Sequence, residues 1–286
     1  MGKRLIIASK EFHDLAGNRI IFVAIGLFLF FVLGQLWNIN EYMHDGSFEK
    51  IVKLPFEDPA MEVVEMMLGQ YTAILTRYGA IMAIAVGFLS IADERRSGAL
   101  NTLVVKPVQR DAIITGKMMG ALAFLLCVFA AATFVLTIGL IAICGYAIVP
   151  LIGDYAARVP LGIITALLYA EIFLFSSMLI SLIVRDYAFA LIFSLIVWSF
   201  SELLTISSFA GKIAHILGMT DGIGNPIVGV SPDGIVENMT YQALIDFTID
   251  LGTCIDRMTE SALMLALYAL LLMTASYLVF NRRDVA

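Results

Sequence analysis

The chain has 286 residues, 60% of them hydrophobic and 15% charged, with a mean hydropathy of +0.91 and a formal net charge of −6. Soluble domains carry about 25% charged residues, so a water-surrounded globule is excluded. The three cysteines, Cys127, Cys144 and Cys254, are an odd number with no close pair, which argues against a disulfide framework and gives no metal-ligand spacing.

The N-terminal stretch MGKRLIIASKEFHDLAGNR has a long charged part, and no small-residue cleavage site follows the first apolar run, which therefore reads as a retained span rather than a signal peptide. Six segments are long enough to cross about 30 Å of hydrocarbon as helices: 20–37, 72–92, 118–143, 161–183, 187–206 and 261–280. The fourth and fifth are joined only by Val184, Arg185 and Asp186, which makes them antiparallel neighbours. The predicted class is all-α, a polytopic membrane protein of one domain over residues 1–286, with six transmembrane helices, short cytosolic helices and a helical external segment.

Six spans put both termini on one side, and the distribution of basic residues chooses it. Twelve of the eighteen Lys and Arg fall on the termini, on residues 93–117 and on the 184–186 turn, so these are expected in the cytosol. Some of them can simply attract anionic lipid headgroups. Residues 38–71 and 207–260 are then external. The second of these is Gly-rich, with Pro226 and Pro232 as breakers. Its later part, 240–258, predicts one amphipathic helix, with Leu244, Thr248, Leu251, Ile255 and Met258 on one stripe and Asp246, Asp250 and Arg257 opposite.

No HExxH, CxxC or G-x-S-x-G motif occurs, so a membrane-embedded enzyme lacks a catalytic constellation. Gly116-Lys117 resembles the end of a phosphate-binding loop, but Met118 stands where Ser or Thr is needed and Asp111 where the first glycine belongs. ATP binding through such a loop is not expected. Gly116 and Gly120 have the small-residue spacing that lets helices approach closely. The fourteen methionines are expected to pack as apolar filler rather than bind copper, because no His or Cys cluster accompanies them. No metal site and no nucleic-acid partner are expected.

Three charges fall inside predicted spans: Glu171 midway along the fourth, Glu202 near the outer end of the fifth, and Arg77 near the outer end of the second. Intramembrane charges usually face protein or water and mark pathways. These three are the candidate translocation residues, and Glu202 is placed to pair with Arg77. An ion-coupled secondary transporter or channel-like protein using Glu171 and Glu202 is the alternative reading.

Residues 93–117 read DERRSGALNTLVVKPVQRDAIITGK. Leu100, Leu103 and Val104 share one face of a short predicted helix that ends before Pro107, and Asp111 is placed to cap the helix that follows. This stretch, taken with KEF at 10–12 and NRRDV near the C-terminus, resembles the type 2 ABC transporter permeases, the membrane subunits of ATP-driven exporters. The matching positions are Lys10, Glu11, Phe12, Glu94, Arg95, Arg96, Ser97, Gly98, Leu100, Leu103, Pro107, Arg110, Gly116 and Lys117. Ala99 departs from the frequent Thr, and Val104-Val105-Lys106 replaces a more usual small or Ser-rich stretch.

The resemblance implies a permease dimer, with a second copy or a paralogue, bound to two ABC ATPase subunits that hold ATP and Mg while this chain holds no cofactor. It also implies that residues 93–117 are the coupling loop, with Glu94–Leu100 meeting the ATPase and Arg95 and Arg96 steering it. Lys10, Glu11, Phe12 and Arg19 would belong to the cytosolic N-terminal helix. Membrane lipid is the remaining expected partner, and a prokaryotic plasma membrane the expected location.

Overall fold

The computed structural model describes residues 2–44, 59–96, 110–144, 152–216 and 226–282. Among these nearly all residues are helical and none is in a strand. The elements are α1 (Lys3–Gly17), α2 (Arg19–His44), α3 (Pro59–Arg96), α4 (Arg110–Cys144), α5 (Ile152–Ile183), α6 (Tyr187–Thr205), α7 (Ser207–Ile216), α8 (Pro226–Val230), α9 (Pro232–Met239), a π-helical turn (Thr240–Leu244) and α10 (Leu251–Arg282). Six of them, α2 to α6 and α10, are long and apolar enough to cross a membrane. The chain is therefore a multi-pass, all-α membrane protein.

Five of the six spans run longer than hydropathy indicates. The fourth was expected from 161, yet α5 begins at Ile152 and carries Pro160 inside. Membrane helices tolerate internal proline where neighbouring groups satisfy the freed backbone. The last span begins at Leu251 instead of 261. Asp250 starts it, accepting from the amides of Gly252 at 3.0 Å and Thr253 at 3.2 Å. The single helix expected over 240–258 is consequently wrong. The backbone breaks between Leu244 and Leu251, where Asp246 folds onto the Thr248 amide at 3.1 Å. Short Asp side chains satisfy local amides and compete with helix continuation.

The core is built on α3 and α5. Both are apolar nearly all round and mostly buried, as central helices are, and small residues bring them together. A Cβ on Gly87 would overlap Ser177 and the Leu174 carbonyl, and one on Gly162 would sit 2.6 Å from the Tyr71 ring. Tyr71 reaches from α3 to Thr133 of α4 at 3.0 Å. Met67, Met82, Met118 and Met178 fill the interior as buried apolar side chains. In contrast α2, α6 and α10 bury only about a fifth of their spans, leaving broad apolar faces outward.

The α1–α2 junction is set by Asn18, which leaves helical geometry and accepts from the Ile20 amide at 2.9 Å. This lets α1 turn from the α2 axis and lie against the first turns of α4. Alternation of the spans places the α1–α2 junction, the C-terminal end of α3, the N-terminal end of α4, the α5–α6 turn and the end of α10 at one end of the bundle. Residues 205–216 and 226–251 lie at the opposite end.

Candidate functional site

At the termini-bearing end, α1, α3 and α4 meet in a buried polar knot. Gly116 and Gly120 open a groove on α4. A Cβ at Gly116 would sit 2.7 Å from Ile7, and one at Gly120 would sit 2.6 Å from the Ala8 carbonyl and 2.7 Å from the Glu11 Cβ. The small-residue pair therefore receives the amphipathic α1. The closeness brings the Lys117 Nζ within 2.6 Å of the Glu11 carboxylate and 2.8 Å of the Ser90 carbonyl. The Ser90 hydroxyl donates to the other Glu11 oxygen at 2.5 Å. Lys117 is 2% exposed and Glu11 5%. Phe12 packs edge-on against Phe124 at 5.7 Å beside them.

Two sequence expectations change here. Lys117 does not lie on an outward coupling surface; the α1–α4 approach buries it, and the anion of Glu11 offsets its desolvation. Asp111 does not cap α4, which already begins at Arg110. It sits in the first turn and accepts from the Asn281 side chain at 3.0 Å, joining α4 to the end of α10. Lys10 and Arg19 stay exposed, Lys10 pairing loosely with Asp14 at 3.6 Å.

Arg95 turns inward. Its guanidinium donates to the Val184 carbonyl at 2.6 Å, to the Leu182 carbonyl at 3.2 Å and to the Ser181 carbonyl. These are terminal carbonyls of α5 that lack partners within the helix. A cation at this position also suits the helix dipole. Glu94 and Arg96 fall on the last turn of α3, and Arg110 opens α4. Ser97, Gly98, Leu100, Leu103 and Pro107 lie outside the described residues, as does the short helix expected around them.

The opposite end holds a polar cleft of about 290 Å³ between α3, α5, α6 and α9. Arg77 and Glu202 form a two-pronged ion pair across its mouth, at 2.8 and 3.3 Å. Asp233 closes the inner side. Tyr169 of α5 and Ser201 of α6 each donate to one of its carboxylate oxygens. Burial raises the Asp233 carboxyl above its ordinary range, and these two hydroxyls partly counter that. Asp233 is placed by its helix start: Ser231 caps α9 by accepting from the Gly234 amide at 3.1 Å, and Pro232 fixes the first turn.

Glu171 is not part of this cleft. It lies two residues from Tyr169, about 200° around α5, half-buried, with no hydrogen-bond partner among the described residues. The structure thus joins Arg77 to Glu202 and leaves Glu171 apart.

Sequence reading missed Arg158 and Asp233. Arg158 falls before the predicted span at 161–183 and was therefore counted with the outer basic residues. It is 3% exposed and donates to the carbonyls of Leu244 at 2.9 Å, Asp246 at 2.8 Å and Ile249 at 2.6 Å, covering the broken backbone. Its guanidinium also lies 4.4 Å from the Phe247 ring centre. Asp233 falls in the external segment, where no helix start was expected. The only sequence signals were an Arg beside a proline-bearing apolar run and a Ser-Pro-Asp helix start, and neither names a partner.

Among the described residues no cluster of His, Cys, Asp and Glu is arranged to hold a metal. The two polar sites tie neighbouring helices together. No curated protein matches the chain. A family model described as ABC-2 family transporter protein matches residues 5–285, nearly the entire length and all six spans. That family supplies the membrane subunit that works with a separate ATPase. The chain therefore belongs to the ABC-2 transporter family and is the permease subunit of an ABC transporter.

Proposed function

We propose that this permease pairs with a second copy or a paralogue, docks two ATPase subunits on residues 93–117, and exports substrate across a prokaryotic plasma membrane. Both termini and the docking loop face the cytosol, as the basic-residue bias suggests. ATP and Mg belong to the ATPase, and this chain needs no cofactor. The observation that carries the reading is the Glu11–Lys117–Ser90 knot. It ties α1, α3 and α4 into one body at the helix ends that flank residues 97–109. A push delivered there moves three helices together. Arg95 extends that body to the end of α5, so the motion reaches the central helix as well. Rigid-body rocking of this kind is a common route to alternating states.

Arg77 and Glu202 guard the cleft at the other end of the path, and Glu171 is a separate station within the membrane. The inward Arg95 shifts the ATPase-steering role proposed for the arginine pair onto Arg96, with Glu94, Ser97, Gly98, Leu100 and Leu103 as the contact surface. Substituting Leu100 and Leu103 by Asp, together with Arg96→Glu, should abolish co-purification of the ATPase subunit while leaving the permease folded in the membrane. Unchanged assembly and unchanged ATP-driven transport would remove the docking role. In vesicles holding the permease and its ATPase, Glu171→Gln should lower transport without loss of assembly; full transport would take Glu171 off the path.

A further inference from the structure

The turn from α8 into α9 is a stiff elbow. Ser231 accepts from the Gly234 amide at 3.1 Å and donates to the Val228 carbonyl at 2.9 Å, while its own amide donates to the Ile227 and Val228 carbonyls, each at 3.1 Å. A Cβ on Gly234 would overlap the Val228 carbonyl, so a glycine is needed for the two short helices to fold this closely. The elbow is nevertheless thinly covered. Ile227 and Val228 are half-buried, and Gly229 and Val230 are exposed. Full burial begins beyond it, at Ile235, Val236 and Met239. The spans grip the elbow through Asp233, on which Tyr169 and Ser201 converge, and through Tyr268, whose hydroxyl donates to the Val230 carbonyl at 2.9 Å. Lifting the elbow would take Asp233 out of the cleft wall.

Charge on Asp233 decides how firmly the elbow is held. Its two side-chain donors are neutral hydroxyls. Arg77 of α3, on the same cleft, is already engaged at both prongs by Glu202. Of the elements packed on α9, α5 presents Tyr169, α6 presents Glu202 and α10 presents Tyr268, whereas α8 carries no titratable side chain. Glu237, one turn along α9, and Tyr241 of the π-helical turn line the cleft and are exposed. Burial is the main force keeping the proton on Asp233, and the Glu202 carboxylate adds to it, while the Ser201 and Tyr169 hydroxyls pull the other way. A proton held more tightly in the docked elbow than on a free carboxyl strengthens docking at low pH, and that support is lost as pH rises through the shifted value. We propose that the α8–α9 elbow is a lid on the cleft, latched shut by protonated Asp233 and released when that acid ionises.

The test follows amide exchange over residues 227–234 in the permease–ATPase complex, from acid to mildly alkaline pH. Each wild-type rate is divided by that of Asp233→Asn at the same pH, which cancels the chemical pH dependence of exchange. The ratio should stay near one at acid pH, because the amide imitates the protonated acid. It should then rise with pH, by up to about tenfold per unit, within the elbow and not within α3, α5 or α6. Glu202→Gln, which frees Arg77 to face Asp233, should flatten the rise. Tyr169→Phe with Ser201→Ala should speed exchange in the elbow even at acid pH. A ratio that stays flat or falls with pH would overturn the proposal, as the elbow would then dock equally well or better on the carboxylate. An equal rise along the spans would overturn it too, showing general loosening rather than a lid. Unchanged exchange in the double variant would remove the two hydroxyls as the latch.

Discussion

Removing the Lys117 ammonium tests the buried knot most directly. At 2.6 Å from Glu11, the gross attraction is about 6 kcal/mol at an effective dielectric of about 20. Desolvating each ion costs several kcal/mol, so the intact pair contributes little net stability. Losing one partner is different. Lys117→Met leaves the Glu11 carboxylate buried with only the Ser90 hydroxyl as donor, and leaves the Ser90 carbonyl without its ammonium contact. The expected cost is about 3–5 kcal/mol. Changing both residues, Glu11→Met with Lys117→Met, removes the stranded charge and should recover most of that loss. Thermal unfolding of the purified permease measures both variants and the Glu11→Met single. Amide exchange over residues 3–17 should rise sharply in the Lys117→Met protein and much less in the double variant. A single-variant cost below about 1 kcal/mol would refute the reasoning, since that is the range of exposed pairs. So would a double variant as unstable as the two singles added.

At the opposite end, Arg158→Ala should free the carbonyls between Leu244 and Ile249, at a cost of at least about 3 kcal/mol, seen as faster amide exchange across residues 244–250. Arg158→Lys should restore only part, because an ammonium cannot span the same fan of carbonyls; full rescue would show that charge alone suffices. Asp233 predicts a pH dependence. Its carboxyl titrates above the ordinary 3.8 because of burial. The stability it contributes is therefore fully present below pH 3.8 and is lost as pH rises through the shifted value. Relative to Asp233→Asn, the wild type should gain thermal stability as pH falls from neutral into the acid range, and parallel pH profiles would contradict this.

Much of the architecture was legible in the sequence. Span-forming runs are read from local hydropathy, so six crossings emerge without knowing any partner. Gly116 and Gly120 likewise announced a close approach through spacing, although not that α1 would fill it. The family motif could also be read directly, because it lies in contiguous stretches. Boundaries were less legible: spans expected from 72, 118, 161 and 261 begin at Val64, Asp111, Ile152 and Leu251, because polar residues at a helix start are accommodated by tertiary partners such as those of Arg158, which hydropathy does not register.

Tertiary structure alone decided which charges are buried and with whom. Lys117 and Glu11 are 106 positions apart, and Arg158 reaches carbonyls more than 80 residues away. A basic residue at the edge of an apolar run reads as an interfacial anchor until the rotation of its helix is fixed. That rotation is set by packing, here by Gly87, Gly116, Gly120 and Gly162, whose missing side chains fix where neighbouring helices touch. The sequence by itself determined how many helices cross the membrane and which ends carry positive charge, because hydropathy and charge add along the chain. The structure decided the Glu11–Lys117 knot, the Arg95 clamp and the Asp233 cleft, because hydrogen bonds between helices depend on register and rotation that no local pattern encodes.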